Sequence, residues 1–168
     1  LAPNVNYSAG ASRGRYFQIR GIGERSQFVD TVNPSVGLII DGVDMTGLGG
    51  AATLFDAEQV EILRGPQGTA FGANALAGAI NIKSKQPTQE TEGYVEAEIG
   101  NYGKQTLGTA ISGAISNNVQ ARFAINKTLI DGYMENAHLN RDDTNNIDET
   151  VARAQLSWQM NENNNFSF

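Results

Sequence analysis

Few residues in this chain have the types and spacing that covalent chemistry needs. There is no cysteine, so thiol catalysis, zinc–thiolate sites and disulfide scaffolds drop out. The single histidine, His138, excludes any metal site built on two imidazoles. It lies among Asp131, Glu135, Asp142, Asp143, Asp148 and Glu149. Their spacing does not fit a calcium loop, which needs glycine at position 6 and glutamate at position 12. The stretch reads as a solvated acidic surface loop. The glycines between Gly68 and Gly78 invite comparison with a phosphate-binding loop, but G-x-x-x-x-G-K-[ST] is not present there. Gly21-Ile22-Gly23 lacks the third glycine and the βαβ setting of a dinucleotide fold. The residues therefore point away from an enzyme and to a binding protein with no metal and no cofactor.

Composition narrows the class further. Of 168 residues, 40% are apolar and 18% charged, against roughly 25% charged in ordinary soluble domains. The net charge of -6 is spread along the chain, which leaves no basic face for nucleic acid. No run approaches the ~18 apolar residues of a spanning helix. That excludes a helical membrane protein but not a membrane barrel, whose strands are never uniformly apolar. Leu1 and the strand-like Asn165-Phe166-Ser167-Phe168 read as cut ends, so the expectation is a piece of a longer protein.

Residues 1–86 are irregular and rich in glycine. Short strands are expected at Arg15 to Gly21, at Val36 to Val43 with the turn pair Asp41-Gly42, at Val60 to Leu63, and at Ala79 to Lys83. Asp56 is placed to cap one helical turn over Ala57-Glu58-Gln59, and a second helical turn is expected near Thr69 to Phe71. This is a small α+β domain with a mixed sheet and short helices. Residues 87–92 are polar and read as a linker.

From residue 93 the pattern changes to period two. Val95, Ala97 and Ile99 alternate with Tyr94, Glu96 and Glu98. Leu107, Thr109, Ile111, Gly113 and Ile115 alternate with small or polar residues. Val119, Ala121, Phe123 and Ile125 alternate with Gln120, Arg122 and Asn126. Ala152, Ala154, Leu156, Trp158 and Met160 alternate with Arg153, Gln155, Ser157 and Gln159. Antiparallel strands with one greasy and one wet face fit either a half-covered soluble sheet or a membrane barrel with lipid outside and a watery lumen. Their length of about ten residues matches a tilted crossing. Four strands and part of a fifth are too few to close a barrel.

Three segments in order carry a resemblance: Phe17-Gln18-Ile19-Arg20-Gly21-Ile22-Gly23; Leu38-Ile39-Ile40-Asp41-Gly42-Val43; and Val60-Glu61-Ile62-Leu63-Arg64-Gly65-Pro66-Gln67-Gly68-Thr69-Ala70-Phe71-Gly72 running into Ala77-Gly78-Ala79-Ile80-Asn81-Ile82. Together they resemble the plug domain of TonB-dependent outer-membrane receptors. The resemblance implies a plug over 1–86, a linker over 87–92, and the first four to five strands of an incomplete outer-membrane β-barrel over 93–168. It implies residence in a Gram-negative outer membrane, contact with its lipid, and uptake of a scarce small molecule such as a metal chelate. Ferric siderophores are the commonest cargo, with cobalamin, haem and oligosaccharide open. It also implies TonB as partner, through a segment expected to lie outside this chain.

Site residues follow from the same resemblance. Arg20 and Arg64, from the two Arg-Gly motifs, correspond to arginines that lock plug to barrel wall. The loops Tyr7 to Arg15, Glu24 to Asn33 and Asp44 to Leu54 are expected at the ligand side. Arg13, Arg15, Gln27, Phe28, Met45 and Leu48 are the candidate contacts, the arginines suiting an anionic chelate and Met45 and Leu48 an apolar edge. Gly21, Gly42, Gly65, Pro66, Gly68, Gly72 and Gly78 are expected to shape turns. Loop lengths place Asn101 to Gly103 and residues 131–149 outside, and Asn117-Asn118 and Glu162 to Asn165 on the periplasmic side. A soluble β-rich binding or adhesion module is the rival reading.

Overall fold

A computed structural model of the chain describes residues 3–9, 14–24, 34–48, 54–132, 134–138, 140–161 and 164–168. It divides into two compact units, Leu1–Lys85 and Gln86–Phe168.

In the first unit, β1 (Val5–Ala9) and β2 (Gly14–Ile19) form an antiparallel pair. A four-stranded mixed sheet follows: β3 (Val36–Ile40), the two-residue β4 (Val43–Asp44), β5 (Ala57–Arg64) and β6 (Gly78–Ser84). Its order is β4-β3-β6-β5, with β3 and β6 parallel. β3 is apolar on both faces, as a strand covered on both sides must be, whereas β6 is apolar on the face of Ile80 and Ile82 and carries Asn81 and Lys83 beside Ala79 on the other. On one face, Leu38, Ile80 and Ile82 join Val36, Ile19 and Ala77 in a core that Phe17, Met45 and Ile62 pack against. On the other, Ile39, Ala75 and Ala79 pack with Leu63 and Phe71. Each buried Ile or Leu contributes about 1.5–3 kcal/mol, so the central pair of strands holds this unit together. Gly78 is where the packing is tightest: its φ is 152°, and a Cβ there would lie 2.3 Å from the Leu63 carbonyl oxygen.

The helical turn expected over Ala57-Glu58-Gln59 does not form. Asp56 has φ 53°, whereas an N-cap residue sits in the extended region. The chain after it enters the ladder with β6 directly, absorbing a bulge between Ala57 and Gln59. Pairing across the sheet overrides a weak local signal. The one helix among the described residues is α1 (Gly68–Phe71). Gly68 is the first residue of α1 and does not hold a positive φ, so it does not shape a turn as glycine alone can. Gly21, Gly42, Gly65 and Gly72 do hold positive φ, and Pro66 follows Gly65 in the link to α1. The strand expected to run to Gly21 ends at Ile19, because Arg20 and Gly21 turn the chain at φ 55° and 79°.

The second unit is an open antiparallel sheet of β7 (Glu92–Ile99), β8 (Gln105–Ser116), β9 (Val119–Ile130), β12 (Ile147–Asn161) and β13 (Asn164–Ser167), in the order β13-β12-β9-β8-β7. The acidic stretch expected as a plain loop instead carries a small hairpin, β10 (Met134–Asn136) and β11 (Arg141–Thr144), before β12 begins.

Candidate functional site

Arg20 and Arg64 lie far apart in sequence, yet the first unit brings them to the same place. β1 and β2 are antiparallel, so the start of β1 lies beside the end of β2. There the Arg20 amide donates to the Asn4 carbonyl at 2.8 Å. Arg64, at the end of β5, donates from Nη2 to the neighbouring Pro3 carbonyl at 3.2 Å. Both arginines are exposed. Arg20 is held in the left-handed region, a conformation non-glycine residues avoid unless their surroundings impose it.

The candidate ligand contacts are more scattered. Arg13, Gln27 and Phe28 lie outside the described residues. Arg15 is in β2 by its backbone, five residues and about 16 Å along the strand from Arg20. Met45 and Leu48 share one turn, with the Leu48 amide on the Met45 carbonyl at 2.9 Å. Met45 packs against the main core, whereas Leu48 is 62% exposed. The string Gly10-Ala11-Ser12-Arg13-Gly14 has G-x-S-x-G spacing. Residues 10–13 lie outside the described residues; the elements on either side are the antiparallel strands β1 and β2, whereas a nucleophile elbow lies between a strand and a helix.

Polar side chains fix the loops around this sheet. Asp41, in the turn after β3, accepts from the Ser84 amide at 2.8 Å and the Ser84 hydroxyl at 2.6 Å, tying the ends of the two parallel strands. Asp44 accepts from the Thr46 amide and from Asn74 Nδ2, both at 2.9 Å. Burial alone would raise the Asp44 pKa, but these hydrogen bonds outweigh it and hold the carboxyl below its usual value. Glu61 is likewise lowered, by the hydrogen bond from Asn81 and the nearby Lys83 ammonium. Glu24 Oε1 accepts from both the amide and the hydroxyl of Ser35.

The second unit is arranged the other way round. Strand register puts Val95, Ile99, Leu107, Ile111, Phe123, Leu156, Trp158 and Phe166 on one face. All are uncovered, Ile99 at 88% and Val95 at 76%. The opposite face carries Glu96, Glu98, Ser112, Gln120, Arg122, Asn126 and Gln155. From Leu107 to Ile115 the greasy band covers eight residue steps, about 26 Å along the strand. A tilt of about 35–45° reduces that to on the order of 20 Å, near the ~25 Å apolar band of membrane barrels. The band has polar and aromatic borders. Lys127 and Asp148 form an ion pair at one end. At the other, next to the short turns, the rings of Trp158 and Phe166 lie 6.0 Å apart, as interfacial aromatics do. A soluble sheet would need a cover for this face, and the second unit supplies none among the described residues.

Residues 1–79 match the family model described as TonB-dependent Receptor Plug Domain. The chain belongs to the TonB-dependent outer-membrane receptors. Its first unit is the plug and its second the opening strands of the barrel, in a protein of the Gram-negative outer membrane. The Pesticin receptor of Yersinia enterocolitica is 30% identical over 150 residues, which is 84% of this chain and 22% of that protein. The catecholate siderophore receptor Fiu of Escherichia coli K12 is 41% identical over 63 residues, 38% of this chain and 8% of that protein. Among solved structures, the ferric yersiniabactin uptake receptor FyuA from Yersinia pestis superposes with a TM-score of 0.83 at 28% identity, over 94% of this chain and 25% of that one. The chain thus spans about a fifth of the length of the curated relative that it matches over most of its own length. These relatives are receptors, and the plug and sheet described above are the parts of such a receptor that the chain supplies.

Proposed function

We propose that the whole receptor takes up a ferric siderophore across the outer membrane, driven by TonB, with the plug blocking the lumen until TonB acts. The observation that carries this reading is the pairing of a plug with a sheet whose greasy side is bare and whose wet side is polar. A wall of that kind separates lipid from a water-filled bore, and a plug is needed only where free diffusion through the bore must be prevented. The cargo assignment is supported by relatives named for catecholate siderophore and ferric yersiniabactin. No covalent step is required of any residue. The exposed Leu48 and the arginines Arg13 and Arg15 remain the proposed contacts for an anionic chelate with an apolar rim, with Gln27, Phe28 and Met45 around them.

The test is radio-iron uptake by cells carrying the full-length receptor, using catecholate and hydroxamate ferric chelates with cobalamin and haem as competitors. The expected result is uptake of a ferric chelate that disappears when either the receptor or TonB is removed. Saturable cobalamin or haem uptake with no iron uptake would overturn the cargo, and uptake indifferent to TonB would overturn the mechanism. Arg20 and Arg64 are proposed to lock the plug to the barrel wall from their common position beside Pro3 and Asn4. Replacing both with alanine in the full-length receptor should speed amide exchange in the plug. Unaltered exchange would remove that role.

A further inference from the structure

The polar stretch after Lys85 is bound to the wet face of the sheet at several points. The Thr88 amide donates to Ser112 Oγ at 2.9 Å. Thr88 Oγ1 lies 2.9 Å from the same oxygen and 2.9 Å from the Glu90 carbonyl. Gln120 Nε2 donates to Gln89 Oε1 at 2.8 Å. Arg122 donates from Nη1 to Glu92 Oε1 at 3.3 Å. Ser112 and Arg122 are neighbours across the β8–β9 ladder and are only 2% and 3% exposed. A buried guanidinium needs a carboxylate and a fixed geometry, and Glu92, the first residue of β7, supplies a carboxylate.

We propose that residues 88–92 are a fixed anchor seated on Ser112, Gln120 and Arg122, and that the anchor stays seated while the receptor works. The stretch between plug and anchor is then short, running from Lys85, whose amide donates to the Asp56 carbonyl at 3.1 Å, through Gln86 to Pro87. Pro87 has a restricted φ and removes one amide from that stretch. Arg122 is a positioning residue in this scheme: it places Glu92, and with it the first residue of β7.

Two experiments on the full-length receptor decide it. In the first, amide exchange is followed at residues 88–91 in the wild type and in Ser112→Ala and Arg122→Gln. The Thr88 amide should be protected in the wild type and exchange about tenfold faster in Ser112→Ala, which removes its acceptor. An unprotected Thr88 amide in the wild type, or one that Ser112→Ala leaves unchanged, overturns the anchor. In the second, Thr88→Cys with Ser112→Cys is oxidised, the two side-chain oxygens being close enough for the substituted sulfurs to bridge, and bridging is checked by mass. Uptake of ferric chelate should be the same in oxidised and reduced receptor. Loss of uptake only in the oxidised state would mean that the segment must lift. This uptake arm rests on the transport reading; if the reduced receptor takes up no ferric chelate, that reading fails, and the exchange arm still decides the anchor.

Discussion

The plug and the barrel strands use the same apolar side chains in opposite ways. In the plug, Ile19, Leu38 and Ile82 are enclosed at 1%, 2% and 4% exposure, and polar groups such as Glu61 and Lys83 lie outside. In the barrel strands the enclosed residues are Ala110, Ser112, Arg122 and Ala124, while the large aliphatic and aromatic side chains are bare. The hydrophobic effect is defined by the solvent on each side. One unit is folded against water and the other against lipid. The comparison also separates what stabilises each: contact density in the plug, and the backbone ladder plus the surrounding bilayer in the wall.

The largest expected effect breaks the plug alone. Gly78→Val puts a side chain where the Leu63 carbonyl and the Ile19 side chain already are, at a positive φ that β-branched residues avoid. It should destabilise the plug by at least about 3 kcal/mol. In the full-length receptor, plug amides should exchange rapidly while those of β8 and β9 stay protected. Gly42→Asn is the control, with positive φ but open space around it; it should cost about 1 kcal/mol or less. Equal behaviour of the two variants would show that backbone conformation, and not the close approach, matters at Gly78.

The second prediction reverses the sides. Ile111→Arg places a charge on the lipid-facing band and should destabilise the receptor refolded in vesicles by about 2–4 kcal/mol. Asn126→Arg, on the wet face, should stay within about 1 kcal/mol of wild type. Denaturant midpoints of the two proteins measure the difference. If Asn126→Arg proved the costlier, the assignment of faces would be inverted and the proposed lumen with it.

The sequence announces these two grammars unequally well. Period two over β7, β8, β9 and β12 is visible in single residues, because each strand has one face that is mainly apolar across the greasy band. The core strands β3 and β6 are visible as short apolar runs. The start of β5 was hidden, since Asp56-Ala57-Glu58-Gln59 has the local chemistry of a helical turn and only its partner β6 decides otherwise. The pair β1 and β2 was half seen: Val5–Ala9 has one strong apolar residue, and its pairing with Gly14–Ile19 is a tertiary fact. The hairpin β10–β11 was obscured by its acidic residues, which say surface but not conformation. That Arg20 and Arg64 bond to the adjacent residues Asn4 and Pro3 is legible in the sequence only as a shared motif, because a contact spanning 61 residues leaves no local pattern. Ser112 and Arg122 carry no signal at all beyond being polar on the wet face.

The smallest effect tests the loop that presents Leu48. Asp44 lies on the plug's exposed surface, so solvent screens most of what its hydrogen bonds contribute. Its carboxyl is nevertheless held below the usual value by Thr46 and Asn74. A carboxyl with a lowered pKa in the folded state stabilises above its unfolded pKa and loses that contribution as pH falls through the folded value. The plug of the wild-type receptor should therefore melt slightly higher than that of Asp44→Asn at neutral pH, and the gap should close as pH drops below about 4. A gap that persists unchanged under strong acid would show that the charge on Asp44 does nothing and that its oxygen atoms hold the turn equally well when protonated. A gap that closes would tie the Met45-to-Leu48 turn to an ionised carboxylate and make that turn an acid-sensitive part of the plug.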